Sequence, residues 1–219
     1  MAALAAGAVA VAGRAEQAFS SGKQAVPLVE LFTSEGCSSC PPAERWLAEL
    51  RHEQGLWRDF VPVAWHVNYW DRLGWPDKFA AKAYTDRQYA YAAEWKARTV
   101  YTPGFVRGGE EWRVRNGDML AAAGMVGGVL HAAIDDGTIV VSYQPPEGAT
   151  LPVNLVVHAA LLGGGIASDV RAGENRGKQL EHEFLVLAWQ QTDLKKGPTT
   201  LKLPSSDLAN EAARRAIGL

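Results

Sequence analysis

Hydrophobic and polar positions alternate along this chain in short blocks. Residues 27–32 form a brief apolar run, ended by polar residues and Gly36, which predicts a buried strand. Residues 43–50 predict a helix, because Trp46 and Leu47 lie four and three positions before Leu50 and share its face. Pro41 and Pro42 suit the first turn of that helix, where a missing N–H would have no partner anyway. Gly55 breaks the pattern, and residues 60–66 predict a second strand. Residues 68–76 are too rich in Gly, Pro and aromatics for an element interior. Asp77 can cap a helix reaching about Arg98, with Phe79, Tyr84, Tyr91 and Trp95 as an aromatic stripe that reads as core packing.

Gly104 to Arg107 predicts a short strand, Gly108-Gly109 a turn, and residues 111–114 its hairpin partner. Asn116 can cap a helix to about Ile134, closed by Asp135-Asp136-Gly137. Beyond it the texture changes. Residues 138–143, 151–162 and 184–190 each contain a strand pattern, Gly163-Gly164-Gly165 turns the chain, and residues 171–178 read as a loop. The expected organisation has three parts. Residues 1–24 are a signal remnant or frayed N-terminus, 25–136 an α/β domain, and 137–219 a β-rich C-terminal module packed on it and ending in a helix.

Composition narrows the partners. The chain has 219 residues, 47% hydrophobic and 21% charged, enough to bury a proper core. A net charge of -2 gives no attraction to nucleic acid or an anionic membrane surface. Residues 1–12 are almost entirely Ala, Val, Leu and Gly, and 14–22 are small and polar. That is the core and exit of a secretory signal without its basic leader, so a periplasmic or secreted location is expected. A frayed terminal helix on a cytoplasmic protein is the alternative. No integral membrane span is expected, since one needs about 20 apolar residues.

Chemistry concentrates where the first strand hands over to the first helix. Cys37 and Cys40 are the only cysteines, in Cys37-Ser38-Ser39-Cys40. Unpaired N–H groups and the positive end of the helix dipole stabilise a thiolate there. Cys37, the outer one, is the expected attacking sulfur, more exposed and more acidic than Cys40, which resolves. Two alternatives stay open: an inert local disulfide, and a metal site. The first gains little entropy from so short a loop. The second lacks another Cys or His pair at ligand spacing. Glu30, on the preceding strand, is either a proton relay to the inner cysteine or a solvated strand residue. His66 is either a hydrogen-bonded core-edge residue or a third ligand with Cys37 and Cys40 for copper or zinc. Tyr69, Trp70, Asp71 and Trp75 form either a groove wall for substrate or a local core. His131, His158 and His182 have no ligand spacing and read as structural. Residues 173–177, Gly-Glu-Asn-Arg-Gly, read as a tight turn or an anion-binding one. No phosphate loop, nucleotide fingerprint or serine elbow is present.

The order strand, Cys-x-x-Cys helix, strand, helix, Thr-Pro, hairpin, helix resembles a thioredoxin-like domain. Within it, residues 29–42, His66-Val67-Asn68-Tyr69-Trp70-Asp71, Leu73-Gly74-Trp75, Arg87-Gln88, Tyr101-Thr102-Pro103 and Gly173-Glu174-Asn175-Arg176-Gly177 resemble an uncharacterised family of bacterial, mostly secreted, thioredoxin-like proteins. The resemblance implies an α/β thioredoxin-like fold, a central mixed sheet flanked by helices. It also implies that Thr102-Pro103 is a cis-proline loop against the cysteine pair, with Tyr101 beside it among the substrate contacts. Members usually end in a further apolar strand, whereas this chain ends Ala216-Ile217-Gly218-Leu219 after a helical stretch. The expected activity is thiol–disulfide exchange on protein or small-molecule disulfides, with no dissociable cofactor. The rivals are a copper or zinc protein using Cys37, Cys40 and His66, and a non-catalytic module with a structural disulfide.

Overall fold

The computed structural model describes residues 17–202, apart from 114–123, 125, 136 and 152. Every residue of β2 (Leu28–Thr33) from Val29 onward is buried. A strand covered on both faces needs that pattern, and β2 has neighbours on both edges as well. It pairs in parallel with β3 (Val61–His66) and antiparallel with β4 (Gly104–Arg107). β5 (Glu110–Glu111) closes the expected hairpin with β4.

Two helices cover this sheet. α1 (Pro41–Glu49) sets Leu47 against Val29, Leu31, Ala64 and Phe184. α2 (Lys82–Glu94) sets Tyr84 against Phe32, Val63 and Trp65 on the other face. The two-residue period of β2 therefore sends Leu31 and Thr33 toward α1, and Glu30 and Phe32 toward α2.

Among the described residues, the elements of the second half are all strands: β6 (Val129–Asp135), β7 (Thr138–Gln144), β8 (Val156–Gly163), β9 (Ile166–Asp169), β10 (Gln179–His182), β11 (Leu185–Asp193) and β12 (Thr199–Lys202). β11 and β8 extend the central sheet, whose order is β5-β4-β2-β3-β11-β8. A second sheet, with β1 (Gln17–Ser20) at its edge, has the order β1-β6-β7-β12. Its Ala132, Ile139, Val141 and Leu201 pack with Val157 and Ala159 of β8. The hairpin of β9 and β10 is a separate two-stranded ribbon.

Several expectations change. The helix expected to reach Ile134 is replaced from Val129 onward by β6, which finds strand partners on both sides. Its Val, Leu, Ala and Ile positions fit either element, and those partners decide. Residues 116–123 lie outside the described residues. At the end of the segment expected as a signal remnant or frayed terminus, 1–24, Gln17–Ser20 pairs with β6 and Gln24 bridges to Val126. Residues 1–16 lie outside the described residues, as does the expected C-terminal helix within 203–219. The strands expected to pack onto the first domain divide instead: β8 and β11 join its sheet, while β7 pairs antiparallel with β6 in the second sheet. The loop expected at 171–178 is the connection of the unforeseen β9–β10 hairpin.

Leu47 is 1% exposed and anchors α1 to the sheet. Leu47→Ala should lower the unfolding free energy by about 2–5 kcal/mol, read from urea denaturation curves.

Candidate functional site at the start of the first helix

The tight turn after β2 brings Cys37 and Cys40 together as a disulfide, with their Cα atoms 5.4 Å apart. The Cys37 N–H donates to the Ser34 carbonyl at 3.1 Å, and the Cys40 N–H to the Cys37 carbonyl at 3.2 Å. Cys40 is the N-cap of α1. The first helical N–H groups are not free for a sulfur, contrary to expectation. Pro41 and Pro42 have none, and those of Ala43 and Glu44 donate to the Cys40 carbonyl at 2.9 and 3.1 Å. The helix dipole remains, and the Ser39 hydroxyl lies 3.4 Å from Cys37 Sγ.

Both cysteines are 0% exposed, so Cys37 is not the more open of the two. Two segments bury them. The 3-10 segment Asn68–Leu73 brings Trp70 onto Gly36, where an added Cβ would meet the Trp70 Cβ at 3.1 Å. The Trp70 indole N–H donates to Thr102 Oγ1 at 2.7 Å, and the Thr102–Pro103 bond is cis. From the other side, the β9–β10 connection places Asn175 over the turn. Its Nδ2 donates to the carbonyls of Glu35 and Cys37 at 2.8 and 2.9 Å. Glu174 accepts the Ser38 N–H at 3.1 Å. The 173–177 segment is thus a structural clasp on the cysteine loop.

Glu30 takes no part in this arrangement. It faces α2, where its carboxylate accepts from Trp65 Nε1 at 2.8 Å, Arg87 Nε at 2.7 Å and the Tyr91 hydroxyl at 2.5 Å. The proton-relay expectation fails on strand parity: one residue of alternation puts Glu30 on the face away from α1. Burial pushes the Tyr91 phenol up, and the Glu30 charge beside it adds to the shift.

On the α1 face, beside the cysteines, lies a cluster that the spacing of residues had hidden. His66 is fully buried, with Nδ1 2.7 Å from Asp77 Oδ2. Asp77 also accepts the N–H groups of Glu35 and Phe79, each at 2.9 Å, which is why it does not cap α2. Burial opposes its charge, but His66 and these two donors outweigh burial and hold Asp77 down at about 2. His182, read above as structural and isolated, reaches in from β10. Its Nδ1 is 2.8 Å from Glu44 Oε2 and its Nε2 3.1 Å from Glu35 Oε1. Burial disfavours the imidazolium, yet the two carboxylates raise His182 to about 10. Burial likewise opposes the charges of Glu35 and Glu44, and contact with His182 overrides it and keeps both below the usual carboxylate value. Glu44 also accepts from the Thr33 hydroxyl at 2.5 Å, and Glu35 from Trp75 Nε1 at 2.6 Å. The rings of His66 and His182 meet edge to face at 4.9 Å.

The expected aromatic wall is divided. Trp75 belongs to the buried cluster and Trp70 to the cover on the cysteines. Tyr69 donates to Gln88 at 3.2 Å, and burial pushes its phenol up to about 12. Tyr101 stays open to solvent, with its hydroxyl on Glu111.

Fold and site together define a mixed α/β protein with a Cys-x-x-Cys disulfide at a helix start, next to a buried histidine–carboxylate cluster. More particularly, the chain belongs to the family described as "Protein of unknown function (DUF1223)", whose model matches residues 28–219. The crystal structure of protein AGR_C_4864 from Agrobacterium tumefaciens is similar, at 26% identity and a TM-score of 0.58, covering 84% of this chain and 80% of that one. No curated protein matches. Among the described residues, no helix is long and apolar enough to cross a membrane.

Asn175→Ala removes two hydrogen bonds from the clasp, each worth about 1 kcal/mol. Reduction of the disulfide by dithiothreitol should then quicken by about ten- to thirty-fold, with the far-UV circular dichroism unchanged. Asp77 makes a separate prediction. Its carboxyl is depressed from 3.8 to about 2 on folding, so its contribution to stability is present above pH 3.8 and disappears as pH falls toward 2. In acid titrations followed by fluorescence, Asp77→Asn should lose stability less steeply over that window than the parent.

Proposed function

We propose that this protein is a thiol–disulfide oxidoreductase with a thioredoxin-like arrangement, working on protein or small-molecule disulfides in an exported compartment. The observation that carries the reading is the Cys37–Cys40 disulfide capping α1, with the Ser39 hydroxyl beside the Cys37 sulfur. In the reduced protein that hydroxyl donates to a Cys37 thiolate, and the helix dipole favours the same charge. The thiolate attacks one sulfur of a substrate disulfide, the bond between the substrate sulfurs breaks, and the first substrate thiolate leaves. Cys40, deprotonated, then attacks Cys37 Sγ. The mixed disulfide breaks, the second substrate thiolate leaves, and the protein holds the pair oxidised. Two electrons pass from protein to substrate, and the reverse sequence oxidises a dithiol.

The cover on the sulfurs gives this chemistry a gate. Trp70 and the 173–177 segment bury both cysteines, so a substrate reaches Cys37 only when one of them swings aside. In this reading Tyr101, exposed and next to the Thr102 that holds Trp70, meets the substrate chain. A second reading, a non-catalytic module with a structural disulfide, is favoured by the complete burial of both sulfurs. The copper or zinc reading with Cys37, Cys40 and His66 applies only to reduced protein, because a disulfide offers no thiolate to a metal.

Trapping separates these readings. Cys40→Ala, expressed with export in a bacterial host, should accumulate mixed disulfides at Cys37 that mass spectrometry identifies and dithiothreitol releases. Absence of adducts, together with a parent disulfide that resists glutathione in the folded state, would establish the structural clip.

A further inference from the structure

The buried cluster next to the cysteines has one polar atom left over. His66 Nε2 has no hydrogen-bond partner, although every other part of its surroundings is paired. An unpaired buried polar atom forfeits its hydration without compensation, so this one calls for a ligand. The opposite nitrogen of the ring is committed. Nδ1 faces the Asp77 carboxylate, which only accepts, so Nδ1 carries a proton and Nε2 is the nitrogen left to bind a ligand.

His182 also rests on an outer carboxylate, but both of its nitrogens are paired. Its Nε2 is held on Glu35 Oε1, while its Nδ1 faces Glu44 Oε2. Glu44 in turn is oriented by the Thr33 hydroxyl on its other oxygen. Ligand atoms of Glu44, His66 and His182 all lie within 4.8 Å of one another. Each imidazole therefore rests one nitrogen on an outer carboxylate. His66 turns its unpaired Nε2, and His182 the Nδ1 now hydrogen-bonded to Glu44, toward a common point shared with Glu44, where a bound cation would displace the His182 Nδ1 proton. Metal-binding histidines have that arrangement, the outer carboxylate fixing the ring and its tautomer. Charge argues the same way. Three carboxylates, Glu35, Glu44 and Asp77, are buried around two imidazoles, and a cation offsets the excess.

We propose that Glu44 Oε2, His66 Nε2 and His182 Nδ1 bind a divalent transition-metal cation, with Asp77 and Glu35 orienting the two rings. Two imidazoles and one carboxylate suit zinc or a neighbouring first-row metal, and three protein ligands leave a coordination position open. Bonds of about 2.0–2.1 Å require donor pairs no farther apart than about 4.2 Å, so the set closes by roughly half an ångström on binding. Neither sulfur takes part, so the site stands whether or not the cysteines exchange disulfides.

Zinc is a fair probe even if the resident metal is manganese or iron, since most nitrogen and oxygen sites hold it more tightly than either. Full-length protein with its disulfide intact, stripped by chelator, should take up one equivalent of Zn²⁺ in calorimetry. X-ray absorption of that complex should show only nitrogen and oxygen neighbours at about 2.0–2.1 Å, without sulfur at about 2.3 Å. The double variant Cys37→Ser/Cys40→Ser should bind equally well. Asp77→Asn should weaken binding by about 10- to 100-fold, and Glu44→Gln should abolish it. Absence of saturable Zn²⁺ uptake by the parent protein, a sulfur shell, or loss of binding in the double cysteine variant would each overturn the proposal. The measurements on the parent protein decide the matter even if a variant fails to fold.

Discussion

The structure turns on His182 held between two buried carboxylates. Glu35 comes from the turn after β2 and Glu44 from α1, while His182 comes from β10, 147 and 138 residues further along the chain. One imidazole thus ties the cysteine turn, the first helix and the C-terminal hairpin into a single unit. Without it, two carboxylates would sit in the interior with no cation beside them, and removing one partner of such a pair costs about 3–5 kcal/mol. The same contact positions the β9–β10 connection, so the placement of Asn175 and Glu174 over the cysteine loop depends on it.

That dependence gives the cysteines an unusual setting. Their turn is held by the histidine–carboxylate cluster, by the Asn175 clasp and by Trp70. The two prolines that start α1 remove donors that a thiolate would otherwise use, leaving the Ser39 hydroxyl and the helix dipole. Under the proposed function, access to the pair depends on this cover as well as on the acidity of either thiol.

The central sheet keeps two buried charge systems apart. Glu30, Arg87 and Tyr91 lie on the α2 face, with the Arg87 guanidinium also over the Trp65 ring at 5.1 Å. Thr33, Glu44, His66 and His182 lie on the α1 face. Thr33 and Glu30 belong to the same strand, three positions apart, and the alternation of side chains sends them to opposite faces. Each system is satisfied within its own face except for His66 Nε2.

Much of this protein was legible in its residues. β2, α1, β3 and β4 lie within one or two residues of their expected bounds, and the turn into β5 falls where expected although β5 is shorter, because period, proline and glycine signals act over a few positions. The cysteine pair at a helix start was legible for the same reason. The strand β6 was not, since its apolar run fits a helix equally well until β1 and β7 supply a ladder on either side. The role of Glu30 was misread because its identity and strand were clear while the face it points to was not. His182 carried no signal at all. Its partners lie far away in sequence, and only the packing of β10 against α1 brings them together. Local chemistry determined the elements and the cysteine pair. The tertiary structure decided what covers that pair and what lies beside it, because contacts across so many residues leave no short-range pattern in a chain.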